Sequence, residues 1–89
     1  MNIEQLYEIF LAHPSISTDT RKLTPDSLFF ALRGEHFNGN KFAQQALDNG
    51  VAYAIIDDNE YSCGDKTILV DNVLECLQNL AAFHRSKLN

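Results

Sequence analysis

The run Leu28-Phe29-Phe30-Ala31-Leu32 is the strongest constraint on how this chain can fold. Five consecutive apolar residues leave no polar side for solvent, so the segment fits a strand covered on both faces. Val51–Ile56 ("VAYAII") and Thr67–Val70 ("TILV") have the same character and read as the third and fourth strands. Strands of this kind need layers above and below them, and helical patterns lie between and around these runs. The order α-β-β-α-β-β-α predicts a small α/β fold, with a mixed or parallel sheet and flanking helices.

The helices have clear signals. Ile3, Leu6, Tyr7, Phe10 and Leu11 fall on one helical stripe, Asn2 and Gln5 form a partial capping box, and Pro14 ends the helix. Ile16 to Asp19 alternates and reads as a short first strand, with Ile16 and Thr18 inward and Ser17 outward. Pro25 suits the second position of a type I turn. Asn40 is expected to cap a second helix whose buried stripe is Phe42, Ala43, Ala46 and Leu47, stopped by Asn49-Gly50. Asp57-Asp58 leads into an exposed loop and reads as a solvated turn with local side-chain-to-backbone bonds. Asp71 or Asn72 would cap a last helix with the stripe Val73, Leu77, Leu80, Ala81 and His84, where His84 is structural.

Eighty-nine residues allow one domain, and the last helix runs almost to Asn89, where a further domain could begin. Seven basic residues against twelve acidic ones give a net charge of −5, which argues against a nucleic-acid partner. A small anion remains possible, because local donors can outweigh a modest net charge. Cys63 and Cys76 lack the spacing and histidines of a zinc site and read as unpaired thiols in a reducing compartment, so no metal is expected. No apolar run approaches the roughly 18 residues of a membrane span, and the acidic, amphipathic N-terminus is no signal peptide. The expectation is a soluble cytoplasmic protein with no membrane partner.

Self-contained catalysis is not expected. The chain has no G-x-x-x-x-G-K-[ST], G-x-G-x-x-G or G-x-S-x-G motif, and neither cysteine is spaced to work with a histidine. What remains is the stretch from Ser17 to Phe42. Thr18 and Thr20 offer hydroxyls and Arg21 a guanidinium at the end of the first strand, all suited to phosphate or sugar oxygens. Gly34 and Gly39 bracket a second loop whose backbone can read the edge of a base, while His36 or Phe37 covers its face. Ligands of α/β folds lie outside the carboxyl ends of strands, where both loops should fall. Plainer readings stand beside this one: Asp19 and Arg21 as a cap and ion pair, Phe37 as core, His36 as an ordinary loop residue. On chemistry alone the stretch is a candidate nucleotide or anion cleft.

Taken in order, the pieces resemble the N-terminal domain of the Mur ligases, the ATP-dependent amide-forming enzymes of peptidoglycan precursor synthesis. The family pattern is roughly [ST]-x-D-[ST]-R, then P-G-x-L-F-x-A-L-x-G, then D-G-x-x-F. Here it appears as Ser17-Thr18-Asp19-Thr20-Arg21, then Pro25, Leu28-Phe29, Ala31-Leu32 and Gly34, then Gly39 and Phe42, with Gly50 closing the helix. Asp26 stands where the family commonly has Gly, and Asn38 where it has Asp. Within the family the wording is most similar to the branch that adds D-alanyl-D-alanine, with the branch adding the third peptide residue as close competitor. The resemblance implies a domain that holds the UDP part of UDP-N-acetylmuramoyl-peptide. Thr18, Thr20, Glu35, His36 and Phe37 would make the contacts, and Arg21 and Asn38 are second choices that could instead brace the loops. It also implies that ATP, magnesium and catalysis belong to central and C-terminal domains absent from these 89 residues, and that the chain is an inactive fragment of a longer ligase. The alternative from a different class is a non-catalytic protein-interaction module of the same fold.

Overall fold

A computed structural model describes residues 2–34, 37–62 and 64–88, with Phe37 described by its backbone. In chain order the elements are α1 (Ile3–Ala12), β1 (Ile16–Ser17), β2 (Leu28–Phe30), β3 (Arg33–Gly34), β4 (Phe37–Asn38), α2 (Ala43–Asp48), β5 (Tyr53–Ile56), β6 (Thr67–Leu69) and α3 (Val73–Lys87). Short 3-10 turns occupy Thr20–Lys22, Gly39–Phe42 and Asn59–Tyr61. β1, β2, β5 and β6 form one sheet in that spatial order, every neighbour parallel. β3 and β4 make a separate antiparallel hairpin. The expected α/β architecture is present, and its main sheet is wholly parallel.

The continuous apolar runs work as expected because the sheet has a layer on each side. Leu28 and Phe30 point to one face and join Leu6, Ile55, Ile68, Val73 and Leu80 beneath α1 and α3. Phe29 and Ala31 point to the other face and join Ala43, Ala46, Val51, Ala54 and Ile56 around α2. Burying a Phe or Leu side chain contributes about 1.5–3 kcal/mol, so Leu28, Phe29 and Phe30, all essentially inaccessible, anchor the fold. α1 also packs on α3 through Tyr7, whose hydroxyl lies 3.0 Å from His84 Nδ1, giving His84 the structural place expected of it.

Five local expectations are corrected. Ser17 is 8% exposed and Ile16 39%, so the faces of β1 are reversed. The reason is polar: the Ser17 hydroxyl donates to the Asp19 carbonyl at 3.0 Å and so has a partner inside. Thr18, expected inward, is exposed. The Thr24–Ser27 turn is not type I, because Asp26 has φ 61° and a positive third-position φ belongs to type II. Asn40 does not cap α2; Asn38 caps the 3-10 turn that precedes the helix, accepting from Asn40 N–H at 3.0 Å. Ala81 is exposed, since α3 turns Cys76 and Phe83 inward beside Val73 and Leu80 instead. As expected, Asn72 caps α3 by accepting from Glu75 N–H, and Asn2 and Gln5 form a full capping box on α1.

Candidate functional site

Parallel pairing puts the carboxyl ends of all four strands on one edge, and β1 and β2 are neighbours there. The segments after these two strands are the loops in which the candidate residues lie. Glu35 and His36 lie outside the described residues.

The loop after β1 is built from its own residues. Asp19 caps the turn Thr20–Lys22 by accepting from Arg21 N–H at 2.9 Å. The same carboxylate takes the Arg21 guanidinium through Nε at 3.1 Å and Nη2 at 2.9 Å. These bonds, the side-chain one foremost, hold the Asp19 carboxyl below its usual range and raise Arg21. The plainer reading of Asp19 and Arg21 as cap and ion pair therefore holds for their local geometry. Thr18 is exposed and Thr20 half-buried beside them.

The loop after β2 is tied to distant parts of the chain. β3 and β4 pair Arg33 with Asn38 and Gly34 with Phe37. Gly39 then crosses the end of β2, its N–H donating to the Leu32 carbonyl at 2.8 Å. A Cβ at Gly39 would lie 2.6 Å from that oxygen, so this approach requires glycine. Asn38 Oδ1 accepts from both the backbone and the side-chain amide of Asn40, which makes Asn38 a brace.

Asn40 is fully buried and reaches Asp57 at the end of β5. Its Nδ2 donates to Asp57 Oδ1 at 2.8 Å, and its Oδ1 accepts from Asp57 N–H at 2.9 Å. Arg33 Nε donates to the same Oδ1 at 2.8 Å. Asp57 Oδ2 accepts from Val73 N–H, at the start of α3, at 3.0 Å. Burial pushes the Asp57 carboxyl up, but the donors from Val73, Arg33 and Asn40 outweigh it and the net shift is downward. The partnership raises Arg33. Asp57 was expected to be a solvated turn residue. That description fits Asp58, which caps the next turn through Glu60 N–H, and not Asp57. The usable signal was an acidic residue directly after an apolar strand, at the carboxyl edge. Its partners lie 17 and 24 residues away and carry no local spacing rule.

The profile of the Mur ligase family, catalytic domain, matches residues 14–85. The chain belongs to the Mur ligase family. Among its Mur ligase relatives, the UDP-N-acetylmuramoyl-tripeptide--D-alanyl-D-alanine ligase of Bacillus subtilis is 36% identical over 97 residues, covering 98% of this chain and 21% of the relative. The UDP-N-acetylmuramoyl-L-alanyl-D-glutamate--2,6-diaminopimelate ligase of Rickettsia typhi is 33% identical, covering 85% of this chain and 15% of the relative. A crystal structure of MurF from Acinetobacter baumannii superposes with TM-score 0.72 at 27% identity, over 84% of this chain and 16% of that one. MurF ligase from Thermotoga maritima in complex with ADP gives 0.69 at 25% identity, over 75% of this chain and 16% of that one. The chain spans about a fifth or less of the length of these Mur ligases. Among the described residues no helix is long and apolar enough to cross a membrane, and no group of three His, Cys, Asp or Glu could hold a metal ion.

Proposed function

We propose that the chain is the substrate-anchoring domain of a peptidoglycan-precursor ligase, holding the UDP end of UDP-N-acetylmuramoyl-tripeptide while a longer enzyme adds D-alanyl-D-alanine. The observation that carries this reading is the parallel pairing of β1 with β2, which sends both motif-bearing loops off one edge side by side. In this reading the hydroxyls of Thr18 and Thr20 meet phosphate or sugar oxygens, and residues Glu35, His36 and Phe37 present mainly backbone groups to the base. Arg21 and Asn38 serve as braces, each already engaged by a neighbour. No described cluster suits a metal ion. In this reading ATP and magnesium belong to the central domain of the longer enzyme, and the amino component to its third domain. The chain alone is inactive in this account and works in the cytoplasm, where such precursors are made.

The test is an amide NMR titration of the 89-residue chain with UDP-N-acetylmuramoyl-tripeptide. Signals of residues 18–21 and 34–39 should move, and ATP should move none. Silent loops at millimolar ligand, with the fold intact, would remove this reading.

The Rickettsia typhi relative supports a second reading, the ligase that adds the third peptide residue. Both use the same anchor, so the 89 residues respond alike. An amide-formation assay on the longer protein, offered D-alanyl-D-alanine or diaminopimelate, separates them by which amine is consumed.

A further inference from the structure

The substrate-anchoring reading leaves one well-built group without a role. The Asp57 side chain is 8% exposed, whereas that of its partner Arg33 is 48% exposed. A carboxylate at a strand end could simply stay in water. Taking it out is costly unless every lone pair is met by a donor. Here Oδ1 meets Arg33 Nε and Asn40 Nδ2, both at 2.8 Å, and Oδ2 meets Val73 N–H.

The placement of those donors matters more than their number. Arg33 opens β3 and Asn40 follows β4 by two residues, so they stand at the two roots of one hairpin. A single oxygen therefore closes the hairpin at its base. The other oxygen fixes that base to the start of α3, and Asp57 N–H returns to Asn40 Oδ1 at the end of β5. Three elements that are separate in sequence share one carboxylate. Such fully satisfied buried networks fix geometry, because any shift leaves a partner unpaired in a low dielectric.

We infer that Asp57 is a positioning residue for the β3–β4 hairpin and, through it, for the nucleotide end of the substrate. The second half rests on the UDP-anchoring reading. Asp57 acts through its neighbours, since both of its oxygens are already occupied. It holds Arg33 and Asn40, so that β3 and β4 keep one orientation at the carboxyl edge of the sheet. Loosening it should release both hairpin roots together while leaving Thr18 and Thr20 where they are.

The experiment compares Asp57→Asn, Arg33→Gln and Arg33→Lys with the wild-type chain, using UDP as the probe and two readouts. The first is UDP affinity followed by amide NMR. Asp57→Asn turns an acceptor into a donor facing either Arg33 and Asn40 or Val73. Losing one or two such bonds, and the charge that strengthens the rest, should weaken UDP binding about tenfold. Arg33→Gln should weaken it about threefold, with Arg33→Lys between it and wild type. The second readout, without ligand, is amide exchange at Asn38 and Gly39, which should quicken beyond any common increase in the sheet. Ile68→Val, a mild core change on β6, controls for stability alone and should leave UDP affinity unchanged. Should Asp57→Asn not fold, Arg33→Gln decides by the same two readouts. Wild-type affinity and wild-type hairpin exchange in the folded variants overturn the inference. A wild-type chain that ignores UDP removes the anchoring reading, and with it the nucleotide half. The exchange readout then still decides whether Asp57 positions the hairpin.

Discussion

The two loops at the carboxyl edge of the sheet are held in opposite ways. After β1, one half-buried carboxylate caps a turn and pairs with an exposed arginine two residues away. The loop after β2 is held by a nearly buried carboxylate at the end of β5, whose partners lie 16, 17 and 24 residues away. The first arrangement can form in a short peptide and is worth little in water, because exposed pairs are solvated and screened. The second exists only once the sheet, the hairpin and α3 have come together. The shape of the first loop is therefore a local property and that of the second a property of the whole fold. Substitutions in the first should change the surface, and substitutions in the second should change the fold.

The largest effect should come from Asn40→Ala. It removes both amide contacts to Asp57 and leaves a charged, nearly buried group short of a donor, which costs about 3 kcal/mol. Urea unfolding should show this as a fall in midpoint with little change in slope. A loss below the error of the fit would mean that the second loop is no better integrated than the first. Gly39→Ala comes next. The new Cβ would press on the Leu32 backbone at 2.6 Å, and overpacking against backbone costs about 1–3 kcal/mol. An unchanged midpoint would show that the hairpin can lift away from β2 at no expense.

The loops should also differ in acid. The folded Asp57 carboxyl lies below its unfolded value, so its contribution is complete above the unfolded Asp value of about 3.9 and is lost as pH falls through the lower folded value. Asp57→Asn should be less stable than wild type at pH 7, and the gap should close below about pH 4. The Asp19 carboxyl is lowered too, but its side chain is 35% exposed against 8% for Asp57 and its pair is screened by solvent, so Asp19→Asn should show no comparable gap. Melting curves across pH 2.5–7 measure both. A gap of constant size for Asp57→Asn would mean that its charge is not what holds the hairpin.

The same contrast explains how much could be read from the sequence. The sheet was legible because Leu28, Phe29 and Phe30 are apolar without alternation, and only a doubly covered strand needs that. The caps at Asn2 and Asn72 were legible because capping spans three residues. Asn40 was misassigned because its side chain is a plausible cap on its own, and the partner that claims it lies 17 residues on. Ser17 was turned the wrong way because polarity alone sends serine outward, while here a bend two residues later supplies an acceptor inside. Of the candidate site, Thr18, Thr20 and Arg21 could be named from loop chemistry, and Asn38 only from the family resemblance. Arg33, Asn40 and Asp57 could not, since what joins them is tertiary.

A smaller effect should appear at the turn before β2. Asp26 has φ 61°, and left-handed backbone costs most L-residues about 1–2 kcal/mol, with aspartate among the more tolerant. Asp26→Gly removes that strain but frees the unfolded chain, so a net gain of at most about 1 kcal/mol is expected. The Asp26 N–H bond to the Gly50 carbonyl is made by backbone and should survive. A clear loss of stability would mean that the side chain, and not the backbone geometry, holds this turn.

The smallest effect should be at Arg21. Its side chain is 86% exposed, and the cap it completes uses its backbone N–H, which alanine also has. Arg21→Ala should therefore leave the melting temperature within error and the Thr20–Lys22 turn intact by amide NMR. UDP affinity should stay within about twofold, because a solvent-exposed guanidinium already paired with Asp19 adds little to binding. A large fall in affinity that disappears as salt is raised would reverse the assignment, since screening by salt marks a direct charge contact. Arg21 would then be a phosphate ligand released from Asp19 on binding, and the locally built loop would be the one that rearranges for the substrate while the buried hairpin stays still.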